Sequence, residues 1–403
     1  FTTIVAVTAY MLSAIQGIST LMSSITGLSY SFCVIIAWVS FAVFTVWSGS
    51  SGVLITDTIM FLVFLTAAII GIPFIVKAAG GWIPAIQNLA LSTTKPGIIS
   101  AGGNLEYLYP TGAENITWAV TYGIVWALVV MISPWQTSRY LMAKDEKTVL
   151  KSAVWSSALV IMITTLLYFS AAFVQSINPD LVASQSIIWA AMNLMPKLVG
   201  VVLLTGILAA GISSASTFLS LIGFSITNDL MNLKGGEVDK QLRISRVGMI
   251  GASVLVLILA YFNPPQIFWI MYFGGTVIAS SWAVVALGSV WSKKLSSMGA
   301  FLGMLLGFVG CVGVKSYSVM MSVTLPIWAD SFFIGILLSI IGAAVGSIVW
   351  PKSDAEQKEQ NQLKTEVESV DGIHKYGIAY LGFAVAFTLF MLCMYVFPYV
   401  EAL

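Results

Sequence analysis

Eleven apolar runs of about 18 residues or more follow one another along this chain, each long enough to cross the roughly 30 Å core of a bilayer as a helix. They lie near 1 to 24, 30 to 47, 53 to 77, 115 to 135, 150 to 176, 198 to 229, 241 to 262, 267 to 292, 297 to 316, 327 to 350 and 376 to 399. The runs are continuous and lack the ten-residue alternation of a membrane β-barrel. With 58% hydrophobic and 9% charged residues and a mean hydropathy of +0.95, a soluble globular fold is excluded. The expected fold class is all-α: a single polytopic domain over 1–403 with about eleven transmembrane helices, multi-pass in the cell membrane.

The charges set an orientation. If the third run starts in the cytoplasm, 14 of the 18 basic residues fall on the inner side, in loops holding Arg139, Lys144, Lys147 and Lys151, Lys234 to Arg246, Lys293 and Lys294, and Lys352 to Lys375. Lys77, Lys95, Lys197 and Lys315 remain outside. The Glu-, Lys- and Gln-rich stretch 351–375 is expected as a solvated cytoplasmic linker. The outer loop 78–114, with Gly80-Gly81-Trp82 and several prolines, is expected as a partly structured cap; Asn115-Ile116-Thr117 forms a sequon there. A net charge of +1 gives no case for nucleic acid. Cys33, Cys311 and Cys393 lie in separate apolar stretches and His374 in a charged loop, so neither a disulfide framework nor a cofactor site is indicated. The partners implied are membrane lipid and whatever the helices carry.

Asp57 is the only charged side chain before Lys77. An acid at the start of a spanning run is costly and marks an ion or proton site unless it is neutral or bonded to a helix end. The sixth run supplies a partner of matching chemistry: Ala210, Ser213, Ser214 and Thr217 fall at i, i+3, i+4 and i+7 on one face, overlapped by Ser213, Ser216, Thr217 and Ser220. Two readings of that stripe stand. Small hydroxyl residues let membrane helices pack closely; they also supply the oxygens that a hard cation needs on losing its water. At 1.5 Å per residue, Thr217 lies about 28 Å below an outer end at 198 and Asp57 about 6 Å above an inner end at 53, so both reach the inner part of the membrane.

At these residues the chain resembles the sodium/solute symporter family, in its proline- and pantothenate-like branch. Thr45-Val46-Trp47-Ser48-Gly49-Ser50-Ser51-Gly52-Val53-Leu54-Ile55-Thr56-Asp57 is similar to T-x-x-G-G-x-x-G-V-x-x-T-D, with Ser48 for the first glycine, and the sixth run matches A-x-x-S-S/T-x-x-S/T. Ser292 to Ala300 adds a weaker match. Pro134-Trp135-Gln136-Thr137-Ser138-Arg139 is similar to P-H-x-x-x-R, with Trp135 for the histidine, and Asn263-Pro264-Pro265 with Trp269 fits the pantothenate side. The resemblance implies an inverted-repeat core of ten helices with sites at broken helices near the midplane. Here 1–292 would be core and 293–403 extra helices. It implies a main Na⁺ site at the Ala210 carbonyl and the Ser213 and Ser214 hydroxyls. A second Na⁺ site is implied at Asp57, Ser216 and Thr217, with Thr56 nearby.

The first run resembles the third helix of that core, and Phe1 opens inside an apolar segment without an initiator methionine. The expectation is a chain truncated at its N-terminus, with the helices that complete the ion and solute sites upstream. Solute-site candidates by position are Trp118, Trp126 and Tyr272, each equally readable as a lipid-facing or interfacial aromatic; Arg139 reads as a cytoplasmic anchor. The expected function is Na⁺-coupled symport of a small organic solute, carboxylate or amino-acid-like rather than sugar, by alternating access. Proton coupling and a sensor domain of a signalling protein are the alternatives. An enzyme is not indicated, since the runs hold no histidine, acid pair or G-x-S-x-G.

Overall fold

The computed structural model describes residues 1–95, 97–99, 112–231, 238–262, 266–368 and 372–403, without the side chains of 44, 47–54, 56, 112, 238, 367 and 368. Asn263-Pro264-Pro265, the Thr56 side chain and most side chains of the glycine–serine segment before Asp57 therefore lie outside the description, as does much of the loop 78–114. The described chain is helical, and ten helices are long and apolar enough to cross a membrane.

The second and third runs, meeting at Gly49–Gly52, form one helical backbone, α2 (Tyr30–Ala78), whose described side chains include the apolar stretch Tyr30–Val43 and the full span Asp57–Ala78. No proline occurs before Pro73, and glycine weakens a helix by about 1 kcal/mol without breaking it. At about 74 Å, this helix exceeds twice the hydrocarbon thickness; Asp57 opens its second half.

Elsewhere local chemistry ends the helices where the runs end. α1 (Thr2–Thr26) stops at Gly27, whose φ of 72° and N–H to the Ser23 carbonyl (2.9 Å) form a left-handed cap. α4 (Gly112–Ile132) stops because Ser133 precedes Pro134 and is extended; the proline then opens the short helix α5 (Pro134–Leu141). Asp145 caps α6 (Glu146–Ile177) by accepting the Thr148 N–H at 2.7 Å. The Thr148 hydroxyl and N–H hold its carboxyl below the ordinary value. The segment expected as an outer cap contains α3 (Trp82–Ala90), and Trp82 Nε1 donates to the Met394 carbonyl (2.8 Å).

α7 (Ser186–Asn193) precedes α8 (Lys197–Phe224), which ends in a π turn, Ser225–Leu230, before α9 (Val238–Phe262). α10 (Ile267–Trp291), α11 (Ser297–Met321) and α12 (Ser331–Val349) follow. In α1 and α10, 56% of the most apolar stretch is buried, against none in α14 (Ile373–Met391) and its continuation, so the first two are central and the last is peripheral. One core joins α1, α8, α9 and α10 through Met11, Ile15, Leu219, Ile222, Val256 and Ile278. A second joins α2, α3, α6 and α8 through Ile75, Ile86, Phe173 and Leu203. α8 belongs to both, which fixes its hydroxyl stripe from two sides.

The expected linker holds a helix, α13 (Asp354–Glu368). Ser353 and Glu356 form a capping box: the Ser353 N–H donates to Glu356 Oε2 (2.6 Å) and the Glu356 N–H to Ser353 Oγ (3.3 Å). Glu356 Oε1 also accepts the Ser297 N–H at the start of α11 (2.9 Å) and the Ser297 hydroxyl.

Candidate cation site

Asp57 is bonded on both carboxylate oxygens. Oδ1 accepts the Ser213 hydroxyl from α8, and Oδ2 accepts Arg139 Nη2 at 2.7 Å. The same Nη2 donates to Thr217 Oγ1 at 2.9 Å. α2, α5 and α8 thus meet at one charged cluster, in which the Arg139 and Asp57 side chains are 30% and 24% exposed. Such partial burial strengthens the charge-assisted bonds relative to a surface pair.

The residues of the two expected Na⁺ sites are divided differently by these bonds. Ser214 Oγ donates back to the Ala210 carbonyl within α8 (2.9 Å), so those two stay together, while Ser213 turns to Asp57. Thr217 joins Asp57 through the guanidinium. Ser216 is fully buried, and its hydroxyl has no hydrogen-bond partner among the described residues. Arg139, read from the sequence as a cytoplasmic anchor, instead points to the acid. The Ser133–Pro134 break explains this, since it separates α5 from α4 and lets its last turn approach α8. A signal was present: the acid needs a partner on the cytoplasmic side, where Arg139 follows the fourth run.

Among the described residues, no group of three or more His, Cys, Asp or Glu gathers as a metal cluster. The donors here are hydroxyls, carbonyls and one carboxylate, a hard, low-charge set suited to an alkali cation rather than a transition metal.

Above the cluster runs an aromatic wall. Trp118, Tyr122 and Trp126 of α4 line up against α10: Trp118 to Tyr272 at 6.1 Å and to Trp269 at 6.2 Å, and Tyr122 to Tyr272 at 5.9 Å and to Phe268 at 5.7 Å. Tyr122 links to Trp126 (6.1 Å), so the three solute candidates lie in one cluster, with Tyr272 buried and both tryptophans half-buried. Tyr10 of α1 carries the wall inward, 6.4 Å from Trp126 and 4.7 Å from Trp135 of α5. Trp135 packs on Phe218, next to Thr217, at 5.5 Å. Tyr10 and Tyr122 escaped the sequence reading, although Tyr122 sits one turn from both Trp118 and Trp126 on α4.

The sodium:solute symporter family profile matches residues 1–307, through α1 to the middle of α11. The sodium/pantothenate symporter of Escherichia coli (strain K12) is 24% identical over 336 residues, 82% of this chain and 67% of its own length. The sodium/proline symporter of Salmonella typhimurium is 21% identical over 369 residues, 88% of this chain and 69% of its own. A solved structure described as the substrate-bound outward-open state of a Na⁺-coupled sialic acid symporter superposes with a TM-score of 0.63 at 14% identity, covering 86% of this chain and 75% of that one. That likeness establishes a shared fold. With the profile covering 307 of its 403 residues and ten membrane-length helices among the described residues, the chain is a multi-pass integral membrane protein belonging to the sodium:solute symporter family.

Proposed function

We propose that the chain belongs to a Na⁺-driven symporter for a small organic carboxylate, working by alternating access in the cell membrane. The observation that carries this is the bond from Ser213 on the hydroxyl face of α8 to Asp57, with Arg139 joining Asp57 to Thr217 on the same face. In this reading the main Na⁺ binds the Ala210 carbonyl with Ser213 and Ser214, and a second binds Asp57 with Ser216 and Thr217. A hydroxyl that donates its proton to Asp57 keeps lone pairs for a cation, so Ser213 bridges the two sites. The solute lies along Trp118, Trp126 and Tyr272, whose apolar faces and polar edges suit a small amphipathic molecule. The solutes in the relatives' names, pantothenate, proline and sialic acid, are all carboxylic acids, which supports the carboxylate over a neutral sugar.

Each Na⁺ bound from outside would favour the outward-open state by its differential affinity, and release to the cytoplasm would reset it. Uptake of labelled pantothenate and proline into proteoliposomes of the full-length protein tests the proposal. A rise under an inward Na⁺ gradient is expected; uptake that ignores Na⁺ and follows a pH gradient overturns the sodium assignment and makes Asp57 a proton carrier.

A further inference from the structure

Arg139 holds the oxygens assigned above to the second ion. One nitrogen, Nη2, lies 2.7 Å from Asp57 Oδ2 and 2.9 Å from Thr217 Oγ1. A small cation bridging those two oxygens would lie in the same space. Two positive charges at that spacing, in a partly desolvated site, repel strongly. Guanidinium and Na⁺ are therefore alternative occupants of one ligand set.

We infer that Arg139 is a tethered counter-cation that exchanges with Na⁺ at Asp57 and Thr217, leaving when the ion enters and returning to expel it. The inference rests on the Na⁺-coupled reading of this site. Three features make the exchange workable. Arginine stays charged and is more weakly hydrated than an ammonium, so Asp57 has a positive partner at both ends of the cycle and never faces the cost of a bare, buried carboxylate. Its side chain is 30% exposed, giving the guanidinium somewhere to go. It is carried on an eight-residue helix set off from α4 by the Ser133–Pro134 break, so α5 can shift without unwinding a span. Trp135, one turn earlier, packs on Phe218 and Tyr10, so that shift would be felt at the inner end of the aromatic wall.

Equilibrium binding of radioactive sodium to the purified full-length protein tests this without knowing the solute. Arg139→Gln removes the competing charge, and the Na⁺ concentration at half-saturation is expected to fall about tenfold, within the usual range of site coupling. In an Asp57→Asn background the same substitution is expected to change nothing, because the shared ligand is gone. A merely structural salt bridge would predict weaker Na⁺ binding in Arg139→Gln. Unchanged or weaker binding there, with wild type binding normally, overturns the exchange and leaves the Na⁺ reading intact. Absence of Na⁺ binding by wild type overturns both. Should Arg139→Gln fail to fold, Arg139→Met keeps the apolar stem and carries the same expectation.

Discussion

Ser213 stands between two sets of oxygens, and its hydroxyl can donate only once. In this structure that proton goes to Asp57 Oδ1, while its neighbour Ser214 bonds its own helix at the Ala210 carbonyl. A hydrogen bond to a charged group is worth roughly 1.5–3 kcal/mol, against about 1 kcal/mol for a neutral one. Ser213→Ala is therefore expected to raise the Na⁺ concentration at half-saturation by about tenfold or more, since about 1.4 kcal/mol is tenfold. The cycle with Asp57→Asn separates the two roles: whatever part of the loss passes through the acid disappears in that background, and the remainder measures the main site proposed at Ala210, Ser213 and Ser214. Full additivity of the two substitutions in sodium binding would show that Ser213 does not act through Asp57. The stripe holding Ser213 was legible from spacing, because i, i+3, i+4 and i+7 define a helix face whatever surrounds it. The choice of partner was not legible, since Ser213 and Asp57 are 156 residues apart and rotamers answer to tertiary neighbours.

At the scale of elements, α13 shows how a local signal can be outvoted by composition. Its sequence reads as solvated linker by charge, yet Ser353 and Glu356 have the spacing of a capping box and start a helix there. The same Glu356 carboxylate reaches Ser297 and so ties α13 to the start of α11, while Gln360 Nε2 donates to the Ser289 and Ser292 carbonyls at the end of α10. The Ser297 hydroxyl first, and the Ser353 and Ser297 N–H groups after it, pull the Glu356 carboxyl down to about 2 from an ordinary 4.5. Because the folded value is the depressed one, the docking it supports is complete above about 4.5 and is lost as pH falls through about 2. Hydrogen exchange over 354–368, corrected for its intrinsic pH dependence, is expected to quicken across that window. Glu356→Gln should exchange faster already at neutral pH, with a flat profile. A wild-type profile with no step in that window would mean the contact does not hold α13 in place. The close packing of α11 on α12 was not read from the sequence; it rests on Gly299 and Gly303, where a Cβ would lie 2.7 Å from the Ala343 carbonyl oxygen and 3.2 Å from the Ser339 carbonyl oxygen of α12.

Across the whole molecule, the spans were legible because each must satisfy its own backbone in lipid, so hydropathy is a local property of the run. Pairings between spans are set by shape and by single polar contacts, and Arg139 with Asp57, 82 residues apart, belongs to that second class. The orientation combines both kinds of information. Arg139 to Lys151, Lys234 to Arg246, the α10–α11 turn and α13 carry most of the basic residues, and alternate crossings put them on one face. Asp180, before α7, and Thr324, between α11 and α12, fall on the opposite face and are exposed, as are Lys147 and Lys358 on the basic one. Cys33 and Cys311 are buried and Cys393 is exposed, so a Cys393→Ser background leaves no exposed thiol among the described residues. In intact cells, a membrane-impermeant maleimide is expected to label Asp180→Cys and Thr324→Cys but neither Lys147→Cys nor Lys358→Cys, and in inverted vesicles the pattern should reverse. Labelling of Asp180→Cys and Lys358→Cys from the same side would break the alternation between α6 and α12. Labelling of Asp180→Cys from the cytoplasmic side would place Arg139, across α6, and the Asp57 it bonds towards the outer face, away from the inward release proposed above.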